Sequence, residues 1–391
     1  MASRVSVIGF GTMGSGIAEV FALRGMDVRV YEVSDAVFGQ NVKAVRSSVE
    51  RLRQRGITAE GPDDVLGRIR RAGSIEECVR DSEVVVEAVN EDAALKRDVF
   101  RKVSMAAPGG AVLSTNTSSI SITYIQRAAE RPERVAGLHW FNPPVLMRLV
   151  EVVRGDLTSD STVEALEALG REVGKEVVVC RRDIRGFIGN RIIRAMKYHC
   201  TLLVRSARYT VRQIDASLVH GIGMPLGIFA LTDFTGGLVL ESQESRTYAE
   251  IVREVPGYEP SLGYHRMFMH YLSLVAPMVQ EGRTGYRQGR GFYDYPGPGV
   301  WERPELRPEE AEGVEEVHIL APVYNQAEHM VRHGVCNEGD IERALRYGFN
   351  VSRPLMPYVR ERFGEWAVES TLREFSDTYS MVQPFYSRGE W

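Results

Sequence analysis

The first 32 residues constrain the fold more than any other part of the chain. Their pattern predicts a strand at residues 5–8, a helix at residues 15–24 and a second strand at residues 28–31, which ends at Glu32. Between the first strand and the helix stands the turn Gly9-Phe10-Gly11-Thr12-Met13-Gly14. Strand, GxGxxG turn, helix, strand and acid in this order are typical of a βαβ unit that binds a dinucleotide. We therefore predict a Rossmann-type, doubly wound sheet at the N-terminus.

Each residue type in this unit has a physical role toward a dinucleotide. Gly9 permits the tight turn, Gly11 lets the backbone approach the pyrophosphate, and Gly14 lets helix and strand pack closely. The N-terminus of the helix offers free N–H groups and a positive dipole end to the diphosphate. Glu32 is placed to accept hydrogen bonds from the adenosine ribose, and no arginine follows it at position 33 or 34 to bind a 2′-phosphate. We expect NAD rather than NADP.

Polar residues follow two further predicted strands. The strand at residues 82–89 is followed by Glu91 and by a helix that carries Lys96. The strand at residues 111–114 is followed by the cluster Thr115-Asn116-Thr117-Ser118-Ser119. Such a cluster can simply cap a helix. It also lies at the carboxyl end of a parallel strand, where open α/β sheets bind ligands.

A histidine and a carboxylate stand on two neighbouring predicted strands, His139 within residues 135–140 and Glu151 within residues 149–153. The Asn142-Pro143-Pro144 turn between them excludes helix, because proline lacks an N–H and biases the preceding residue away from the α region. Taken alone, His139 would be a core histidine whose ring nitrogens are hydrogen-bonded within the protein, and Glu151 would be a surface glutamate. If the two strands pair, the residues can act as a general base and its orienting partner.

Residues 35–56 predict a helix that becomes increasingly basic, with Arg46, Ser48, Arg51, Arg53 and Arg55. The basic run is either a solvated face or a shelf for a phosphate-bearing ligand. The residues alone favour neither interpretation.

A chain of 391 residues is too long for one ordinary core. Strands become scarce after about residue 185, where long helical patterns begin. Residues 204–221 can be laid over residues 331–348 at a constant offset of 331 − 204 = 127, which indicates a duplication. We predict three domains: an NAD-binding domain at residues 1–185, a helical substrate and dimerisation domain at residues 186–300, and a second, divergent helical copy at residues 301–391.

Composition argues against several other classes. A net charge of −4 gives no reason to expect nucleic acid or an anionic membrane as partner. No run approaches the ~20 apolar residues of a membrane span, and the immediate first strand leaves no room for a signal peptide. The four cysteines show no CxxC spacing and no disulfide framework, and no grouping has metal-ligand spacing. We expect a cytoplasmic protein without a metal.

Together these pieces resemble the L-3-hydroxyacyl-CoA dehydrogenase family over nearly the whole chain, more weakly after about residue 300. The motifs that carry the resemblance are GxGxMGxGIA at residues 9–18, VVEAVNEDAALK at 85–96, STNTSSI at 114–120, GLHWFNPP at 137–144, LVEVV at 149–153, GFIGNR at 186–191 and GRGFYDY at 289–295. The resemblance implies a Rossmann-type domain followed by helical domains of the 6-phosphogluconate-dehydrogenase-like type. It also implies a helical domain that closes over the acyl chain and commonly dimerises.

The resemblance further implies an activity and residue roles. The activity is the reversible, NAD-dependent oxidation of an (S)-3-hydroxyacyl-CoA to a 3-ketoacyl-CoA, a reaction of fatty-acid β-oxidation. His139 matches the catalytic base and Glu151 its partner, while Ser118 and Asn190 match residues at the reacting groups. The matching cofactor contacts are Gly9, Gly11, Thr12, Met13, Gly14, Glu32, Glu91, Lys96, Ser118, Asn142 and Arg287, and the matching CoA contacts are Ser48, Arg55 and Ser118. This implication favours the shelf interpretation of the basic helix.

Three positions depart from the family pattern. Glu32 replaces the more usual aspartate, and Arg185 and Ile228 each replace a proline, which leaves the shape of the acyl pocket open. The oligomeric state is also open, since a second helical copy can occupy a surface that would otherwise dimerise. Two alternatives stand beside the main hypothesis: a related dehydrogenase of a non-CoA hydroxyacid or sugar acid, and a non-catalytic NAD-binding descendant. The intact set of catalytic matches argues against the second.

Overall fold

The computed structural model of the chain describes residues 3–388, apart from the side chains of residues 240, 245 and 246. The chain folds into two compact units, residues 1–187 and residues 188–391. The first unit contains an eight-stranded sheet with helices, and the second is built from helices. The predicted fold class, a Rossmann-type sheet followed by a helical region, is confirmed.

The first unit alternates strands and helices along most of its length. Its strands are β1 (Arg4–Ile8), β2 (Asp27–Tyr31), β3 (Ile69–Arg71), β4 (Val84–Glu87), β5 (Val112–Thr115), β6 (Val135–Trp140), β7 (Leu149–Val153) and β8 (Glu176–Cys180). Its helices are α1 (Thr12–Leu23), α2 (Asp35–Gln54), α3 (Pro62–Gly67), α4 (Ile75–Val79), α5 (Ala93–Ala106), α6 (Ile122–Gln126) and α7 (Asp160–Glu172).

The strand order is β3-β2-β1-β4-β5-β6-β7-β8. All neighbouring strands are parallel except β6 and β7, which pair antiparallel. The chain leaves β1 toward β2 and β3 on one side and later returns to β4 on the other. The crevice at the carboxyl ends of β1 and β4 is therefore the switch point at which open α/β sheets bind their ligands.

Strands β4 to β7 are buried on both faces, since every one of their residues is buried. Their sequences therefore show no alternation of buried and exposed positions, and the polar residues His139 and Glu151 lie inside the core. From α1, Phe21 packs edge-on against Trp140 of β6, with ring centroids 5.7 Å apart. This packing ties the helix that follows the glycine turn to the strand that carries His139.

The second unit contains eight α-helices within its described residues. They are α8 (Gly189–Arg205), α9 (Val211–His220), α10 (Ile228–Thr235), α11 (Gly237–Glu254), α12 (Leu262–Gln280), α13 (Glu316–Arg332), α14 (Glu338–Phe349) and α15 (Leu355–Thr378). A break at Gly364, with φ of 75°, interrupts α15. Residues 281–315 connect α12 to α13 through turns, irregular backbone and two short 3₁₀ helices, Tyr286–Gln288 and Pro308–Ala311.

The GRGFYDY segment lies in these turns and has a structural role. Asp233 of α10 accepts hydrogen bonds from the backbone N–H groups of Phe292 and Tyr293 and from the Tyr295 hydroxyl. A Cβ at Gly291 would overlap the Asp233 carboxylate, so the segment can close on α10 only with glycine there. The motif thus fixes the turns to the helical unit.

Three consecutive helices of the second unit repeat at the offset found in the sequence. The starts of α8, α9 and α10 and those of α13, α14 and α15 are each separated by 127 residues, at Gly189 and Glu316, Val211 and Glu338, and Ile228 and Leu355. Left-handed backbone positions repeat as well, at Ala207 and Gly334 and at Gly223 and Asn350. The repeat is therefore a feature of the backbone as well as of the sequence.

The side chains that fix the helix starts repeat in the same register. Thr210 caps α9 and Asn337 caps α14, each within a capping box. Asp215 accepts two backbone N–H groups at the start of α10, and Glu342 accepts two at the start of α15. Side-chain oxygens of different residue types thus accept hydrogen bonds from the same free backbone N–H groups at the helix starts.

Candidate active site

The glycine turn connects β1 to α1, and its three glycines meet different constraints. Gly9 has φ of 93°, and a Cβ there would lie 2.7 Å from the carbonyl oxygen of Ala88. A Cβ on Gly14 would overlap the carbonyl oxygen of Gly9. At Gly11 a Cβ would meet no atom within 4 Å. The turn thus leaves open space beside Gly11 at the N-terminus of α1, where Thr12 and Met13 begin the helix.

Glu32 follows β2 and faces the glycine turn. Its Oε2 accepts a hydrogen bond of 2.9 Å from the Phe10 N–H, and its Oε1 accepts one of 3.0 Å from the Ser34 N–H. Each carboxylate oxygen can accept a further bond. The nearby Arg71 donates to the Glu32 carbonyl oxygen and pairs with Asp35 at 2.6 Å. The arrangement suits a ribose diol better than a 2′-phosphate.

His139 and Glu151 are direct cross-strand partners in the antiparallel β6–β7 pair. Their side chains lie on the same face, and Nδ1 of His139 is 2.6 Å from Oε2 of Glu151. His139 is 5% exposed and Glu151 is completely buried. A buried carboxylate at this distance holds the proton of the imidazole on Nδ1, which leaves Nε2 as the acceptor.

Nε2 of His139 has no hydrogen-bond partner among residues 3–388. The imidazole is flanked by the rings of Phe141 at 4.6 Å and Phe187 at 5.6 Å. Apolar walls restrict the ring to one orientation and lower the local dielectric. The site therefore presents a ring nitrogen in a fixed orientation.

A buried ion cluster lies at the carboxyl ends of β4 and β5. The Lys96 ammonium is 2.7 Å from Oε1 of Glu87, 3.2 Å from Oε2 of Glu91 and 3.3 Å from the Val89 carbonyl oxygen. Lys96 is 1% exposed, and these three contacts use its three N–H groups. Thr115 donates to the remaining oxygen of Glu87 at 2.6 Å. The sequence does not predict a role for Glu87, because a glutamate at the end of an apolar strand carries no distinctive pattern.

Ser118 lies in the loop after β5. Its backbone N–H donates to Oε1 of Glu91 at 2.9 Å, and its hydroxyl has no partner in the described part of the chain. The neighbouring Asn116 accepts the Trp140 N–H at 2.9 Å, which joins this loop to the end of β6. Asn116 was also missed from the sequence, where it stood inside a polar cluster with several equivalent candidates.

Asn142 lies in the exposed turn between β6 and β7. The adjoining Pro144 packs onto α1, since a Cβ on Gly16 would lie 2.9 Å from its Cδ. Gly16 thus allows the turn that carries Asn142 to lie against the helix that follows the glycine turn. The predicted cofactor residues of the first unit therefore share one edge of the sheet.

The predicted site also includes residues of the helical unit. Asn190 lies in the first turn of α8 and is partly exposed, and Arg287 lies exposed in a short 3₁₀ turn, Tyr286–Gln288. Neither side chain has a hydrogen-bond or ion-pair partner among the described residues. Both side chains are therefore free to bind a ligand.

The predicted basic shelf lies on α2. Arg51, Arg53 and Arg55 are exposed, and none of them forms an ion pair within residues 3–388. Ser48 is partly buried beside Glu19 of α1, which is 2% exposed. Burial raises the pKa of Glu19 to about 7, against the opposing effects of the Ser48 hydrogen bond and the Arg51 charge. The free guanidinium groups favour a phosphate ligand.

Two classes of feature are absent from the described residues. None of the helices in residues 3–388 is both long and apolar enough to cross a membrane. Within the same residues no group of three or more His, Cys, Asp or Glu side chains could hold a metal ion.

The residues at the switch point fit a dinucleotide. The open position beside Gly11, the free helix N-terminus and the carboxylate after β2 match the diphosphate and the ribose of NAD. A histidine with a free ring nitrogen and a serine with a free hydroxyl stand on the same edge of the sheet. A sheet and site of this kind define an NAD-dependent dehydrogenase.

Comparisons with known proteins identify the family. Residues 4–184 match the family model of the 3-hydroxyacyl-CoA dehydrogenase NAD binding domain, and residues 186–295 match that of the C-terminal domain of the same family. The chain belongs to the 3-hydroxyacyl-CoA dehydrogenase family.

Relatives and solved structures agree with this assignment. A 3-hydroxybutyryl-CoA dehydrogenase of Mycobacterium tuberculosis is 34% identical over 295 residues, which cover 75% of this chain and 98% of the relative. A probable 3-hydroxybutyryl-CoA dehydrogenase of Deinococcus radiodurans is 32% identical over 295 residues, covering 75% and 100%. The crystal structure of 3-hydroxybutyryl-CoA dehydrogenase from Escherichia coli has a TM-score of 0.80 at 26% identity and covers 98% of this chain and 97% of that one.

Proposed function

We propose that this chain oxidises a short-chain (S)-3-hydroxyacyl-CoA, such as 3-hydroxybutyryl-CoA, at a site centred on His139. The observation that carries this proposal is the 2.6 Å contact between His139 and Glu151 on adjacent buried strands. The relatives named as 3-hydroxybutyryl-CoA dehydrogenases support the short acyl chain. Bound NAD would supply the hydride acceptor in this reaction.

His139 acts as the general base. Its free Nε2 accepts the proton of the 3-hydroxyl group while hydride leaves the same carbon atom. Glu151 keeps the other ring proton on Nδ1 and stabilises the imidazolium cation that forms. In the reverse direction the protonated ring donates to the 3-keto oxygen.

Ser118 and Asn190 assist at the polar atoms of the substrate. The unpartnered Ser118 hydroxyl can donate to the 3-oxygen as negative charge develops on it, and the Asn190 amide can donate to the thioester carbonyl. Around the cofactor we assign the glycine turn to the diphosphate, Glu32 to the ribose, and Glu91, Asn142 and Arg287 to further contacts. These assignments follow the family resemblance and the exposure of the side chains.

We propose that the basic shelf of α2 binds the phosphate groups of CoA. Replacing Arg51, Arg53 and Arg55 together by glutamate should raise KM for acetoacetyl-CoA by at least about tenfold. The reason is that the attraction between the arginines and the CoA phosphates becomes a repulsion between glutamates and phosphates. KM for an acetoacetyl thioester of pantetheine, which lacks the nucleotide, should change by less than about twofold. Steady-state kinetics with both thioesters measures the difference. An equal rise for both would show that the shelf does not recognise CoA.

The exposed Arg46 on the same helix offers a matched control, since it pairs with Asp63 at 2.7 Å. Arg46→Glu should leave both KM values unchanged if the free guanidinium groups, rather than the general charge of α2, bind the phosphates.

We further propose the three-domain division at residues 1–185, 186–300 and 301–391, with the third domain a divergent copy of the second. The repeat of helix starts and caps at an offset of 127 residues supports it. In the helical unit His199 of α8 is 2.7 Å from the carbonyl oxygen of His318 on α13. The second copy thus covers a face of the first.

We infer from this packing that the chain is a pseudo-dimeric monomer. Sedimentation equilibrium at micromolar concentration should give the mass of one chain, 43.8 kDa. A stable species of twice that mass would contradict the inference. We also propose a cytoplasmic location, supported by four buried cysteines that form no disulfide within the described residues, as a reducing compartment permits.

A further inference from the structure

Glu91 holds the loop that carries Ser118 through several hydrogen bonds to one carboxylate oxygen. Its Oε1 accepts four hydrogen bonds from this loop: from the Thr117 hydroxyl at 2.5 Å, the Ser118 N–H at 2.9 Å, the Ser119 hydroxyl at 3.0 Å and the Ser119 N–H at 3.2 Å. Its Oε2 pairs with Lys96 at 3.2 Å. About a third of the Glu91 side chain, 36%, remains exposed, so a ligand can still approach it.

The ion cluster around Glu91 carries an excess negative charge. One ammonium, that of Lys96, faces two carboxylates, those of Glu87 and Glu91, which gives a sum of −1. Although burial raises the pKa of Glu91, Lys96 and the hydrogen bonds from the loop lower it further, so that it lies below its usual value. Burial lowers the pKa of Lys96, but the two carboxylates raise it above its usual value. Glu91 is therefore anionic and Lys96 cationic at neutral pH.

We propose that Glu91 is a positioning residue that also biases the site toward the oxidised cofactor. This inference rests on the proposed function, which places the 3-oxygen of the substrate beside Ser118 and hence also the nicotinamide that takes the hydride from the same carbon atom. The nicotinamide ring is cationic in NAD⁺ and neutral in NADH. An excess negative charge next to the ring stabilises the cation and leaves the neutral form nearly unaffected. The same carboxylate holds the Ser118 loop, so charge and geometry act through one side chain.

The test is the binding of both cofactor forms to the Glu91→Gln variant of the full chain. Glutamine can still accept the hydrogen bonds from the loop hydroxyls but carries no charge. Isothermal titration calorimetry with NAD⁺ and with NADH should give a ratio of Kd(NAD⁺) to Kd(NADH) about threefold to tenfold above that of the wild type, as expected for loss of one partly solvated charge at close range. An unchanged ratio would overturn the proposal.

Glu91→Asp separates charge from geometry. Aspartate keeps the charge but is one methylene shorter, so it weakens the hold on the loop. Both affinities can fall in this variant, but their ratio should stay within about twofold of the wild type. A shift as large as that of Glu91→Gln would assign the effect to geometry and overturn the electrostatic part of the proposal.

Glu32→Gln is the matched control at the other end of the cofactor. It also removes one carboxylate, but the ribose is the same in both forms, so both Kd values should rise by the same factor. Binding of NAD⁺ and NADH by the wild-type protein is measured alongside. A wild-type protein that binds neither form would argue against the proposed function, whereas an equal effect of Glu91→Gln on both forms argues only against this inference.

Discussion

Glutamine in place of His139 lowers kcat for the reduction of acetoacetyl-CoA by about 10²- to 10⁴-fold, the usual contribution of a general acid or base. The imidazole of His139 has a ring nitrogen that can take up a proton from the substrate or return it. Glutamine cannot exchange a proton at neutral pH. NADH binding should be retained, because His139 makes no contact with the glycine turn or with Glu32 among the described residues. Stopped-flow kinetics and fluorescence titration with NADH measure the two quantities.

His270→Gln provides the control for the His139 variant. His270 lies on α12, partly buried, outside every proposed contact, and the same substitution there should leave kcat unchanged. A His139→Gln protein that binds NADH and turns over within about threefold of the wild type would remove His139 from the mechanism.

Methionine in place of Lys96 should destabilise the folded protein by about 3–5 kcal/mol, the usual result of removing one partner from a buried ion pair. Methionine fills a similar volume, but it leaves Glu87, which is 1% exposed, without its counterion. Urea unfolding followed by circular dichroism measures the loss. A loss below about 1 kcal/mol would mean that Glu87 takes up a proton or a water at little cost.

Lys102→Met is the matched control on the same helix, α5. Lys102 pairs with Asp98 at 2.8 Å, but about half of each side chain is exposed. Because exposed pairs contribute little to stability, the urea midpoint should not move. The comparison separates the effect of a buried charge from that of a lost lysine.

The βαβ unit and the two strands around the Asn-Pro-Pro turn could be predicted from the sequence because their signals are local. The strands at residues 135–140 and 149–153 have the predicted bounds. The register that brings His139 opposite Glu151 could not be predicted. Every residue of both strands is buried, so no alternation fixes which side chains share a face, and a slip of one residue would separate the pair.

The ion cluster around Lys96 shows a second reason why part of the site could not be predicted from the sequence. The sequence places Glu91 and Lys96 after a predicted strand, and the family resemblance assigns both to the cofactor. The structure places the Lys96 ammonium among two carboxylates and a carbonyl oxygen, because β4 and the start of α5 come together in space. Glu87 is part of that arrangement, and its role depends on a contact across nine residues that no local pattern specifies.

The helical repeat could be detected from a few identities but not shown to be a structural repeat. Thr210 and Asn337 differ in sequence yet cap their helices alike, as do the acids at positions 215 and 342. The physical requirement is an oxygen that accepts the free N–H groups of a helix start. Several residue types meet it, so two stretches of different sequence have the same spacing of helix starts and caps.

The most direct test of the central claim is the absorbance of NADH after mixing with the purified protein and acetoacetyl-CoA. The account predicts a rapid loss of NADH absorbance with acetoacetyl-CoA and a far slower one with acetoacetate, which has the same 3-keto group but no CoA. Loss of NADH with acetoacetate at equal efficiency, or no loss with acetoacetyl-CoA, would contradict it.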